Sequence, residues 1–146
     1  MTAVRGVRGA TTVAANERSA ILAGTRELLD RIVFANGMEP GDISSATFTV
    51  TPDLDAEFPA FAAREIGWTE VPLMCGREIP VAGALGLCVR VLIHWNTDRA
   101  QGDVRHVFLH GARALRPRWA VDLPGDAPLD AREVQRQAKG YEREAR

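Results

Sequence analysis

The 146-residue sequence predicts a single α+β domain in which a mixed sheet carries helices on one face. One observation is the order of its segments, which runs strand, helix, strand, short helix and then further strands. A second is the composition, since 46% hydrophobic and 25% charged residues are typical of a globular domain. A third is the length, because a chain of this size buries about 68–70% of its unfolded surface in one core.

The first strand is predicted over residues 4–13, where valine and threonine are mixed with Gly6 and Gly9. Glycines in a strand indicate that another element approaches the backbone closely. A helix should follow, with Asn16 as its N-cap and Gly37 at its end, because apolar residues recur between them on one helical face. This helix is expected to cover one side of the sheet.

Alternating side chains predict a second strand over residues 46–51, closed by the turn-forming pair Pro52 and Asp53. A short helix is predicted over residues 59–66, because proline is favoured in a first helical turn. Apolar and β-branched content predicts three more strands, of which the middle one is the strongest: residues 70–74, 87–95 and 104–109.

The domain is expected to span residues 1–118, and the composition changes beyond it. Residues 119–128 contain two prolines and a glycine, whereas residues 129–146 are rich in charge and poor in apolar side chains. Asp130 could cap a helix there, but its apolar stripe is thin. We therefore predict a peripheral tail that is loosely docked or frayed and helical at most in part.

Charge and hydropathy exclude several classes of protein. A formal net charge of -1 argues against a strongly cationic nucleic-acid binder. The N-terminus has no apolar run suited to a signal peptide. The longest uncharged stretch, residues 79–89, is far shorter than the roughly 18 residues of a membrane span. We expect a cytoplasmic protein without a nucleic-acid or membrane partner.

Cysteine and histidine positions do not predict a metal site. Cys75 and Cys88 lack the paired spacing of zinc ligands, and in a reducing compartment they are expected to be free thiols. His106 and His110 have helical spacing but lie in a predicted strand. Cys75 and Glu78 follow a strand end, where sites are often built, yet no residue is placed by sequence to activate the cysteine as a nucleophile.

Arg90 is the most informative charged residue, because it interrupts the apolar run 88–93. Burying an unpartnered guanidinium costs several kcal/mol, so Arg90 should either pair with a carboxylate such as Glu78 or Asp53, or bind an anion.

Three further arginines, Arg8, Arg64 and Arg116, lie next to predicted elements. Each alone is expected to be solvated, but together they would form a cationic pocket suited to a small dicarboxylate.

Seven short blocks fall in a consistent order over residues 4–117. They are VRGVRGATT at 4–12, TPDL at 51–54, FPA at 58–60, VP at 71–72 with Cys75 and Glu78, CVRV at 88–91, RHV at 105–107 and LRP at 115–117. In order and spacing these blocks resemble the monofunctional chorismate mutases of the AroH class. The resemblance implies a homotrimer with a pseudo-α/β barrel fold and active sites between subunits. It also implies rearrangement of chorismate to prephenate without a cofactor.

The resemblance assigns catalytic roles to Arg90, Glu78 and Cys75 and a substrate-binding role to Arg8. Arg90 matches the arginine at the ether oxygen of the substrate, and Arg8 matches a carboxylate-binding arginine of the first strand. Glu78 and Cys75 match the residues that bind the substrate hydroxyl.

The resemblance also assigns substrate-binding roles. Arg64 and Arg116 match arginines near the cleft mouth, and Phe58 and Leu115 match apolar residues against the substrate. Phe108 stands where the family usually has tyrosine. The loss of one neutral hydrogen bond there should cost about 0.5–1.5 kcal/mol of binding, so activity should be reduced and not abolished.

Phe61 is a second departure, because it replaces a lysine of the family on the short helix. Two alternative functions stay open at this point. One is a non-catalytic trimeric module that binds a chorismate-like dianion, and the other is a hydrolase similar to the reactive-enamine deaminases.

Overall fold

A computed structural model describes residues 1–117 of the chain. The tail predicted at residues 119–146 lies outside this part. The helices are α1 (Arg18–Asn36) and α2 (Ala60–Glu65), with three short 3-10 segments at Pro40–Asp42, Gln101–Asp103 and His110–Leu115. The strands are β1 (Ala3–Thr12), β2 (Ile43–Val50), β3 (Leu73–Arg77), β4 (Cys88–Thr97) and β5 (Val107–Leu109).

The five strands form one mixed sheet in the order β3-β2-β4-β1-β5. Strand β4 is antiparallel to both of its neighbours, β1 and β2. The outer pairs, β2 with β3 and β1 with β5, are parallel. The prediction of an α+β fold with a mixed sheet is confirmed.

Both helices lie on one face of the sheet. Ile21, Leu28, Leu29 and Ile32 of α1 are fully buried in the main core. Helix α2 packs against α1 and β3. Gly9 allows α1 to approach β1, because a Cβ atom at this position would lie 2.5 Å from Cδ1 of Ile32.

Gly9→Ala is expected to lower the free energy of unfolding by about 1–3 kcal/mol, because the added methyl group overpacks the contact between β1 and α1. Gly6→Ala is the matched control on the same strand. Its Cβ would lie 3.6 Å from Leu92 Cδ1, an ordinary contact, so a change below about 0.5 kcal/mol is expected. Urea unfolding of both variants measures the difference. Equal stability of the two variants would contradict the close packing at Gly9.

The other face of the sheet carries no helix within residues 1–117. Side chains alternate between the faces of a strand, so Arg8 and Ala10 of β1 point away from α1, as does Leu92 of β4. One end of this face is covered by the 3-10 segment His110–Leu115, which forms a second, smaller apolar cluster. That cluster contains Ala10, Cys88, Phe108, Ala112 and Leu115.

The helix boundaries differ from the prediction at one end. Gly37 ends α1 in a left-handed conformation, with φ of 65°, as predicted. Asn16 is not the N-cap, because Glu17 occupies that position without a capping hydrogen bond. The Asn16 side chain instead bonds Asp55 and the backbone amides of Asp55 and Ala56, so it ties the start of α1 to the loop after β2.

Three strands begin three residues away from the predicted position. The strand predicted at residues 46–51 spans Ile43–Val50. The strand predicted at residues 70–74 occupies Leu73–Arg77, three residues later, which places Cys75 inside the strand. The strand predicted at 104–109 begins only at Val107. The Asn36 side chain forms hydrogen bonds with both the amide and the carbonyl of Arg105, so this residue does not pair in the sheet. Within residues 1–117 no helix is long and apolar enough to cross a membrane.

Candidate active site

Arg90 lies in the middle of a row of residues that crosses the helix-free face. It pairs with Ala10 of β1 on one side and with Thr49 of β2 on the other. The row continues from Thr49 to Gly76 and from Ala10 to Phe108. Directly paired residues of a sheet share a face, so the Arg90 side chain rises between short side chains.

Glu78 is the carboxylate partner of Arg90. The Nε atom of Arg90 lies 3.6 Å from Oε1 of Glu78, and the two side chains are 19% and 23% exposed. The Thr49 hydroxyl donates a short hydrogen bond to the same oxygen. The Glu78 amide donates to the carbonyl of Val50, which fixes the backbone at this point. The cation is therefore held in place before any ligand arrives.

Asp53, the other carboxylate considered for Arg90, has different partners. It accepts hydrogen bonds from the Thr51 hydroxyl at 2.6 Å and from the Leu87 amide at 2.8 Å. Burial opposes ionisation of Asp53, but these bonds and one from its own amide together lower its pKa below the ordinary value. Asp53 thus holds the loop before β4 in place.

Cys88 lies beside the charged pair. Burial raises the pKa of its thiol, and Glu78 acts in the same direction, whereas the charges of Arg90 and Arg8 and a hydrogen bond with Arg90 oppose this. Arg8 pairs with Leu92, two residues along β4 from Arg90, so its side chain lies on the same face as the charged pair. Both cysteines are free, as predicted. Within residues 1–117 no cluster of three histidine, cysteine or acidic side chains could hold a metal ion.

His106 is a site residue that the sequence analysis considered only as a metal ligand. Its Nδ1 atom accepts a hydrogen bond from the Arg8 amide at 3.0 Å. Burial, the charge of Arg116 and the charge of Arg8 lower the pKa of His106 below its ordinary value of 6.5. The neutral ring therefore lies near the positive charges of Arg8 and Arg116. The only sequence signal was its place in the RHV block.

The depressed pKa of His106 predicts a pH dependence of stability. Between this pKa and about 6.5 the unfolded chain binds more protons than the folded one, so stability rises with pH. The contribution is complete above about pH 6.5 and is lost as the pH falls through the folded pKa. We expect the unfolding free energy of the wild type to fall more steeply than that of His106→Asn between roughly pH 7.5 and pH 5. Equal slopes would contradict the role given to burial, Arg8 and Arg116.

Phe108 and Leu115 lie together beside this charged region. Both are buried in the smaller apolar cluster with Ala10, Cys88 and Ala112. The structure thus brings together six of the predicted site residues on or beside the helix-free face. They are Arg8, Glu78, Arg90, Phe108, Leu115 and Arg116.

Cys75, Arg64 and Phe58 lie elsewhere. Cys75 pairs with Phe48, in the same row as Gly9, so its side chain points to the helix-covered face. Burial raises the pKa of its thiol, while a hydrogen bond from the Ala60 backbone and the charge of Arg64 oppose the rise. Phe58, just before α2, is 70% exposed. Within one chain these three residues are separated from Arg90 by the sheet.

The fold and the site define a class of protein: a small α+β sheet protein with a pre-positioned cation and neighbouring arginines suited to an anionic ligand. Residues 4–119 match the family chorismate mutase type I, and the chain belongs to this family.

Two relatives and one solved structure document the similarity. The chorismate mutase AroH of Thermus thermophilus is 50% identical over 115 residues, which cover 78% of this chain and 94% of the relative. The chorismate mutase AroH of Bacillus subtilis (strain 168) is 44% identical over 115 residues, covering 78% and 91%. The structure of a chorismate mutase from Clostridium thermocellum superimposes with a TM-score of 0.74 at 52% identity, covering 75% of this chain and 98% of the other.

Proposed function

We propose that this protein catalyses the intramolecular Claisen rearrangement of chorismate to prephenate, a step on the route to phenylalanine and tyrosine. The observation that carries the proposal is the pair of Arg90 and Glu78 on the helix-free face of a chain of the chorismate mutase type I family. The family and its named relatives support this activity, and no observation favours a hydrolase or a non-catalytic binding module. A cytoplasmic location stays an inference from the sequence.

The reaction needs little covalent chemistry from the protein. In one concerted step the ether C–O bond breaks and a C–C bond forms, without proton transfer and without a covalent intermediate. An enzyme contributes by holding the flexible dianion in its reactive conformer and by placing positive charge where the ether oxygen gains electron density. Within residues 1–117, the thiol beside Arg90 is that of Cys88, and its raised pKa makes it a poor nucleophile, which fits this chemistry.

Arg90 is the group that we assign to the ether oxygen. Its guanidinium is always protonated and planar, and the strand β4 together with Glu78 and Thr49 holds it in place. Glu78 also offers carboxylate oxygens to a hydroxyl donor of the substrate. Arg8 and Arg116, whose charges both act on His106, are suited to bind a substrate carboxylate by paired hydrogen bonds.

We further propose that the protein is a homotrimer whose sites lie between subunits. Val4, Leu92 and Met74 are exposed apolar residues on the helix-free face, which association would bury. The exposed Phe58 and the residue Arg64 lie beyond the sheet from Arg90, so a neighbouring subunit would have to supply them to the same substrate. Light scattering should therefore give the mass of three chains, and a monomer mass would contradict the interface model.

Mixing two impaired variants tests the shared site. Arg90→Ala and Arg64→Ala each remove one arginine, and the loss at Arg64 should cost about 1.5–3 kcal/mol, the range of a charged hydrogen bond. When the two chains are co-refolded at equal amounts, random assortment should give about a quarter of interfaces with both arginines intact. Turnover of the mixture should therefore exceed that of either parent.

The matched control is a mixture of Arg90→Ala with Glu78→Ala. These two side chains form an ion pair within one chain, so no assortment of subunits restores both in one site. We expect no recovery. Recovery in the control mixture, or a first mixture no more active than the average of its parents, would contradict the assignment of Arg90 and Arg64 to different subunits.

The proposed activity is tested by following the loss of chorismate absorbance with purified wild-type protein and identifying the product. Prephenate as the sole product is expected. A different product would indicate another reaction. Binding of chorismate without turnover would indicate a non-catalytic module, and either result would overturn the proposal.

A further inference from the structure

The pairing of β1 with β5 stops abruptly next to Arg8. The register joins Gly9 to Val107, Ala10 to Phe108 and Thr11 to Leu109. One more rung of this parallel ladder would place the Arg8 amide against the carbonyl of Arg105. That rung is not formed, although the Arg8 amide points toward this side of β1.

Asn36, the last residue of α1, binds the Arg105 carbonyl that the missing rung would use, and it also binds the amide of the same residue. Its Oδ1 atom accepts from the Arg105 amide at 2.9 Å, and its Nδ2 atom donates to the Arg105 carbonyl at 2.9 Å. Nδ2 also donates to the carbonyl of Ile32 at 2.9 Å. Asn36 is only 1% exposed, so this clamp is a buried, fixed feature.

Because Asn36 binds the Arg105 carbonyl, the imidazole of His106 serves as the hydrogen-bond acceptor for the Arg8 amide instead. Its Nδ1 atom lies 3.0 Å from the Arg8 amide nitrogen and accepts the hydrogen bond. This bond requires an unprotonated Nδ1. Burial and the charges of Arg116 and Arg8 lower the pKa of His106, which keeps the ring neutral at pH 7.

We propose that His106 is a positioning residue for the reaction, because its Nδ1 atom holds the backbone of Arg8 where the guanidinium reaches a substrate carboxylate. The inference rests on the proposed function and goes beyond it, since His106 itself contacts the Arg8 backbone. A carboxylate is bound alike in the ground state and the transition state. Misplacing Arg8 should therefore raise KM and leave kcat nearly unchanged.

Three variants separate the hydrogen bond from the shape of the side chain. In His106→Asn the Oδ1 atom replaces Nδ1 as an acceptor at nearly the same position. His106→Leu fills a similar space without an acceptor. His106→Gln stays polar, but its amide reaches the position of Nε2 and not that of Nδ1, so it serves if the leucine variant does not fold.

Steady-state kinetics of these variants with chorismate test the proposal. We expect KM to rise about tenfold in His106→Leu and His106→Gln, the effect of an unsatisfied amide donor, with kcat within about twofold of the wild type. His106→Asn should stay within about threefold of the wild-type KM. Unchanged KM in the leucine and glutamine variants, an asparagine variant as impaired as they are, or a parallel loss of kcat would overturn it.

The wild-type assay separates this result from the proposed function. A wild type without prephenate formation would overturn the proposed function and, with it, the role of His106 in substrate binding. An active wild type combined with unchanged KM in the leucine and glutamine variants would overturn the role of His106 alone.

Discussion

Arg90→Ala is expected to lower kcat for the conversion of chorismate to prephenate by at least about 10³-fold. The loss of a single oxyanion-hole donor costs about 10²–10³ in kcat. Here the substitution removes a full charge as well, and it would leave the Glu78 carboxylate without its cation beside the dianion proposed to bind there. The penalty should therefore exceed that of a neutral donor.

The fold is expected to survive this substitution. Arg90 lies on the helix-free face, outside the main core that α1 and α2 cover, and Glu78 keeps its hydrogen bond from Thr49. Arg26→Ala is the matched control, since Arg26 is an exposed arginine of α1 that lies 3.9 Å from the carboxylate of Asp30, far from the proposed site. It should leave kcat unchanged. An Arg90→Ala protein that is folded and retains most of its kcat would contradict the assignment of the reaction to this site.

The local sequence pattern predicted correctly that Arg90 lies on a strand, and it limited the carboxylate partners considered for Arg90 to Glu78 and Asp53. The β-branched run predicted β4 within two residues at either end, and an arginine inside it required a partner. The choice between Glu78 and Asp53 could not be made from sequence. It depends on where the loop before β4 lies, which is fixed by the hydrogen bonds that Thr51 and Leu87 donate to Asp53.

The face of the sheet on which Cys75 lies could not be predicted, because the predicted boundary of its strand was wrong by three residues. The strand predicted at 70–74 ended before Cys75, so no face could be assigned to its side chain. In the structure the pairing of Cys75 with Phe48 places the thiol under α2, on the opposite face from Arg90. Its role in binding the substrate hydroxyl stays a prediction.

His106 could not have been assigned from local pattern. Its position depends on the clamp between Asn36 and Arg105, residues 69 apart in the sequence. The apolar and β-branched content of 104–109 favoured a continuous strand, but the buried amide of Asn36 bonds the backbone of Arg105 and overrides that preference. The pattern of residues within a short segment does not predict such contacts between residues distant in sequence.

Replacing Arg90 with citrulline separates the contribution of its positive charge to kcat from the contribution of its shape. Citrulline is nearly isosteric with arginine, but its urea group is neutral and still donates hydrogen bonds, so the confinement of the substrate should be largely retained. If positive charge at the ether oxygen dominates catalysis, Arg90→citrulline should lower kcat by roughly 10²–10³-fold with a smaller change in substrate affinity. If confinement dominates, kcat and affinity should both change little.

The most direct test of the account is therefore the kcat of a semisynthetic protein with citrulline at position 90, measured beside the wild type prepared by the same ligation. The electrostatic role of Arg90 predicts a fall of about 10²–10³-fold in kcat at nearly unchanged fold and oligomeric state. A citrulline protein that forms prephenate at the wild-type rate would contradict that role, even though the protein would still be a chorismate mutase.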